Sequence, residues 1–75
     1  MLSDNTISAE TYRLLQRVPT TWWSEDEAVH ELSLAMCLTL GAVRSRLQFL
    51  IANKLVERRK GPGLVPALEI RRVGR

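Results

Sequence analysis

Two segments with helical hydrophobic spacing meet across only two residues, Cys37 and Leu38, and that junction limits what the chain can fold into. On its N-terminal side, Ser24 and Glu27 form an S-x-x-E capping box. Glu25 and Asp26 add negative charge to the first turn, where the helix dipole favours it. Ala28, Val29, Leu32, Ala35 and Met36 then recur at helical spacing. On the other side, Thr39 is a helix cap, with Leu38 before it and Val43 four positions in as a hydrophobic staple. At about 100° per residue, Val43, Leu47 and Leu50 share a narrow arc, whereas Gly41, Arg44, Ser45, Gln48 and Ala52 fall opposite. One stripe is suited to packing, and the other is offered to solvent or a partner.

The flanking segments read as further short elements. Ser8 caps an earlier helix, Ile7 and Tyr12 form its staple, and Tyr12, Leu14, Leu15 and Val18 make its apolar side before Pro19 stops it. Thr20, Thr21, Trp22 and Trp23 favour extended backbone, enough for a short first strand or a connection. Residues 55–60 and 67–73 read as strands. Between them Gly61-Pro62-Gly63 suits a type II turn, and Leu64, Val65 and Pro66 lengthen the loop. The expected architecture is α+β: three helices and a C-terminal β-hairpin in one domain over residues 1–75, with residues 1–6 a flexible lead.

Size and composition narrow the function. Seventy-five residues hold one small core, and 45% hydrophobic residues point to a folded chain rather than a disordered one. Cys37 is the single cysteine, so an internal disulfide and a multi-cysteine zinc site are excluded, and a buried turn position is expected for it. His30 and Cys37 are two ligands at most, so no metal is expected. One His and one Cys do not assemble a nucleophile, base and orienting group, and Gly61-Pro62-Gly63 is no phosphate loop. Neither an enzyme nor a cofactor is expected, and no small-molecule effector is evident. Without an apolar run of roughly 18 residues or a signal-peptide pattern, a cytoplasmic protein with no membrane partner is expected.

Charge is divided along the chain. Residues 1–37 sum to −4 and residues 38–75 to +7. Such a split suits a molecule that turns one end toward a polyanion. The run Glu31-Leu32 through Ala35-Met36-Cys37-Leu38-Thr39, the opening Gly41-Ala42-Val43-Arg44, the apolar Leu47 and Leu50, and the exit Asn53-Lys54-Leu55-Val56-Glu57-Arg58-Arg59 together resemble the winged helix-turn-helix family of DNA-binding domains. The resemblance spans residues 24–73, with the helix-turn-helix at 24–53 and the wing at 55–73. Cys37 stands where the family usually has Gly. Asn53 with Lys54 stands where a Gly often ends the recognition helix, and Asn tolerates left-handed backbone.

The resemblance implies duplex binding, with the third helix in the major groove. Arg44 and Gln48 are the expected base readers, Arg on guanine and Gln on adenine. Thr39 and Ser45 are hydroxyl donors to bases or phosphates, Leu40 either reaches a thymine methyl or extends the core, and Gly41 lines the same face. With no acid in its first turn, the third helix leaves its N–H groups open to a phosphate. Arg46 is expected to grip the backbone from the side of the helix. Arg58, Arg59 and Lys60 lead into the wing, and Arg71, Arg72 and Arg75 follow it. Strand alternation sends Arg58 and Lys60 to one face and Arg59 to the other. The expected working form is a homodimer on two half-sites of double-stranded DNA, serving transcription regulation in a bacterium, phage or plasmid.

Two other readings start from the same residues. A winged helix also serves as a protein-interaction module, here with Trp22, Trp23, Leu40 and Phe49 as an apolar patch for a small adaptor or inhibitor. A single-strand or RNA binder would stack bases on the indoles. One of the two tryptophans is expected in the core, and Phe49 at a dimer contact or against the first helix.

Overall fold

The computed structural model describes residues 7–63 and 67–74. The expectations for residues 1–6, Leu64, Val65, Pro66 and Arg75 lie outside the described residues. In chain order the elements are α1 (Ala9–Arg17), β1 (Trp23–Ser24), α2 (Glu25–Met36), α3 (Leu40–Ala52), β2 (Val56–Lys60) and β3 (Leu68–Arg72). This is the expected α+β arrangement of three helices, with a three-stranded antiparallel sheet ordered β1-β3-β2.

Every element supplies part of one apolar centre. Leu14 and Leu15 of α1 with Val18 beyond it, Ala28, Val29 and Leu32 of α2, Val43, Leu47 and Leu50 of α3, Val56 of β2 and Ile70 of β3 are buried together. Each fully buried Leu or Ile contributes about 1.5–3 kcal/mol relative to exposure. β1 is held by pairing Trp23 with Ile70 and Ser24 with Glu69. Trp23 is half-buried against the core and Trp22 lies on the other side of the sheet, as alternation requires. Among the described residues, no single helix is long and apolar enough to cross a membrane.

The helix starts follow capping chemistry in two cases and depart from it in one. Ser8 Oγ accepts from Thr11 N at 3.1 Å, and Thr39 Oγ1 accepts from Ala42 N at 3.1 Å. Ser24 makes no side-chain cap bond, so the expected capping box with Glu27 does not form. Ser24 still stands at the cap position of α2, with its backbone paired to Glu69 in β1. Tyr12 is 51% exposed, so the apolar side of α1 is carried by Leu14, Leu15 and Val18 without it. Ala35 is also exposed, leaving Met36 as the last apolar contact of α2.

Both helices of the central pair end in a left-handed residue. Cys37 has φ 55° and ψ 44°, and Ser33 O accepts from the N–H groups of both Cys37 and Leu38. Cys37 is exposed, not the buried turn residue expected from its type: it stands at the exit of α2, one residue past Met36, the last contact of that helix with the core. At the end of α3, the left-handed position belongs to Lys54 (φ 62°), not Asn53 (φ −93°). Leu55 N donates to Leu50 O at 2.9 Å and Lys54 N to Ile51 O at 3.0 Å, the paired bonds of a Schellman closure. Its apolar residue after the turn, Leu55, packs on the core. In the hairpin Gly63 has φ 122°, the positive region the Pro-Gly turn reading requires, and Gly61 N donates to Ala67 O at 2.6 Å to close the loop.

Candidate nucleic-acid interface

α3 is positioned by its buried stripe. Val43, Leu47 and Leu50 are at most 1% exposed, which fixes the rotation of the helix and turns Gly41, Arg44, Ser45, Gln48 and Ala52 outward. Arg44, Ser45 and Gln48 are all exposed, as the hydrophobic period predicts. A Cβ built on Gly41 would meet nothing within 4 Å, so the fold does not require glycine there. Leu40 sits beside it at 40% exposure, and Thr39 begins the helix with its hydroxyl oxygen engaged in the cap. The first turn of α3 carries no acid. Its N-terminal dipole is therefore not compensated by a carboxylate of its own, in contrast to α2, which begins with Glu25, Asp26 and Glu27.

A cation from the sheet borders this face. Arg58 lies opposite Ile70 on the inner side of the sheet, where Glu25 of α2 meets it. Glu25 Oε1 accepts from Arg58 Nε at 2.8 Å and Oε2 accepts from its NH2 at 3.1 Å. The remaining nitrogen, NH1, donates to Gln48 Oε1 at 3.4 Å. Glu25 is only 8% exposed, and two parallel bonds hold the guanidinium plane against it. Arg58, expected to lead into the wing as a DNA-binding cation, is half-buried, paired with Glu25 and set next to Gln48.

On the outer side of the sheet two more of the expected DNA cations have carboxylate partners. Glu57 faces Arg71 and Arg59 faces Glu69 across the ladder, with ion pairs at 2.6 and 2.8 Å. Both guanidinium groups also cover the Trp22 ring, at 4.2 Å for Arg59 and 4.6 Å for Arg71. Cross-strand charge pairs and cation–π contacts each contribute up to about 1 kcal/mol at such sites, so the face is bound to itself. Trp22 is accordingly half-buried between cations, not part of an open apolar patch.

Arg46 is also redirected. It turns toward α1, where one NH2 donates to Glu10 and NH1 donates to Ala42 O at 3.2 Å. Its position on the side of α3 next to α1, whose first turn carries Glu10, gives it a carboxylate partner within the chain where a DNA phosphate was expected. Phe49 lies near it in a cleft with Ser8, Thr11 and Ser45, at 37% exposure, which places the ring along α1. Arg72 is half-buried beside Val73, with its backbone N donating to Pro19 O at 2.7 Å. Lys60 is exposed at the end of β2, on the same side as Arg58 by alternation. Among the described residues, Arg44 and Lys60 are therefore the members of the expected DNA-binding set that are exposed cations without a carboxylate partner.

A second surface has the opposite sign. Trp23, Asp26, Glu27, His30 and Glu31 line an open groove along α2, and His30 Nδ1 is 2.9 Å from Asp26 O. Among the described residues, no three His, Cys, Asp or Glu side chains come together in a metal-binding group.

Glu25 is the residue that the sequence reading understates, since its first-turn position alone suggests only a dipole role. Its spacing to Ala28, Val29 and Leu32 carries the missing signal: it heads the same helical stripe and is buried with it. The alternation of Glu57 with Arg59 and of Glu69 with Arg71 likewise signals cross-strand neutralisation. Comparison with family models, curated proteins and solved structures gave no match to this chain.

Proposed function

We propose that the chain is a winged helix-turn-helix protein that binds double-stranded DNA sequence-specifically and serves as a transcription regulator of a bacterium, phage or plasmid. The observation that carries this reading is the outward stripe of α3: Arg44, Ser45 and Gln48 exposed together, with no carboxylate in the first turn of the helix. Donor side chains on one face of a helix suit the acceptors of a major-groove edge. The 112° bend between α2 and α3 across a three-residue connection supports this reading, in which the β2–β3 hairpin after it would be the wing. Lys60 would then approach a phosphate, and the acidic groove on α2 would face away from the duplex.

A single copy offers few base contacts, so the working form in this reading is a symmetric pair on two half-sites about one helical turn apart. Selection of bound duplexes from a randomised pool tests it. An enriched palindromic sequence is the expected outcome, and a pool that stays flat would remove DNA as the target. The second reading, a protein-binding winged helix, is favoured by Leu40 and Phe49, which stay partly exposed on either side of the same face. It predicts the flat pool, and loss of a protein complex in Phe49→Ala.

A further inference from the structure

We propose that Glu25 acts through Arg58 to orient Gln48, so that the position read by Gln48 is guanine and not adenine. This rests on the duplex-binding reading above and adds to it the identity of a base and a positioning residue outside α3.

The argument begins at the buried end of the relay. Glu25 belongs to the packed stripe of α2 and is 8% exposed, so its carboxylate has little freedom. Its two oxygens accept from Nε and NH2 of Arg58, which fixes the guanidinium plane and leaves NH1 directed at Gln48. A guanidinium has donors only, so the Gln48 side chain must meet it with Oε1 and turn its NH2 group away. An unconstrained Gln pairs with adenine because its oxygen and nitrogen match the N6 donor and N7 acceptor together. Here the oxygen lies beside a cationic donor, where an adenine N6 amino group would face Arg58. Guanine presents N7 and O6, both acceptors, to the same groove. Arg58 NH1 and Gln48 Nε2 together form a donor edge that suits this pair and opposes the N6 amino group of adenine or the N4 amino group of cytosine. Arg44, exposed one turn earlier on α3, extends the same donor character.

The test compares duplexes that differ at one base pair within the selected site, titrated with wild-type protein and with E25Q, R58K, Q48A and the E25Q/Q48A double variant. Loss of preference in Q48A identifies the position that Gln48 reads. There, wild-type protein is expected to favour guanine over adenine by roughly tenfold, and E25Q to bring the two within about twofold. R58K keeps the charge but not the planar fork, so it should lose the guanine preference while retaining the salt dependence of binding. In the Q48A background, E25Q should shift nothing at this position, and circular dichroism should report all variants folded. If wild-type protein prefers adenine there, or if E25Q and R58K weaken every sequence alike, the relay is overturned while DNA binding stands. If no duplex is bound at all, the duplex reading itself fails and the relay falls with it.

Discussion

The outward face of α3 and the outward face of the β2–β3 hairpin both carry arginine, and they use it differently. On the hairpin, Arg59 and Arg71 are paired with Glu69 and Glu57 and close over Trp22. On α3, Arg44 is exposed with no carboxylate bound to it among the described residues, and Ser45 and Gln48 stand beside it. The charges of the hairpin are paired within the sheet, whereas Arg44, the cation on the outward stripe of α3, is left to meet something else. Net charge in a stretch of sequence therefore overstates the cation that a partner encounters. Residues 38–75 sum to +7, yet Arg46, Arg58, Arg59 and Arg71 each have an acid in contact.

The contrast can be attacked from several sides. Leu47→Ala should have the largest effect, because it removes part of the stripe that sets the rotation of α3. A loss of about 3 kcal/mol is expected, lowering the thermal midpoint by more than about 10 °C in a domain of this size. Calorimetry that found Leu47→Ala as stable as wild type would contradict the packing described for this helix. Arg44→Ala comes next, with a loss of roughly 1–3 kcal/mol in affinity for the selected duplex, relaxed choice at one base position and an unchanged melting temperature. Trp22→Leu should act in the opposite sense: about 1 kcal/mol less stable by denaturant titration, through loss of both cation–π contacts, with duplex affinity retained. A clear loss of duplex binding in that variant would mean that the hairpin face is not closed on itself. The smallest effect is expected of Cys37→Gly, which relieves a left-handed residue at the turn. A gain of about 0.5 kcal/mol in stability with unaltered binding would show that the turn serves only to place α3.

Much of this fold was legible before any coordinates. The caps at Ser8 and Thr39, the packing stripe Val43, Leu47 and Leu50, and the two hairpin strands follow from local patterns that the structure keeps. What local patterns miss is pairing across the chain. Arg46 reads as a grip on the DNA backbone from the side of α3 until α1 brings Glu10 beside it. Arg58 looks like a wing cation until Glu25, 33 positions earlier, takes hold of it. The left-handed residue at the end of α3 was readable in a different way. Leu55 is the apolar residue that follows such a turn, so the turn falls on Lys54, although Asn53 is the residue type that favours that conformation.

The account turns on which arginine meets phosphate or base, and the salt dependence of duplex affinity reports that directly. Wild-type protein, Arg44→Ala and the double variant Arg59→Ala/Arg71→Ala would be titrated on one duplex across a range of salt concentrations. Arg44→Ala is predicted to reduce the slope of log affinity against log salt by up to about one or to weaken the selected sequence specifically, with the double variant keeping the wild-type slope. A double variant whose slope falls by about two while Arg44→Ala behaves as wild type would reverse the assignment of the two faces.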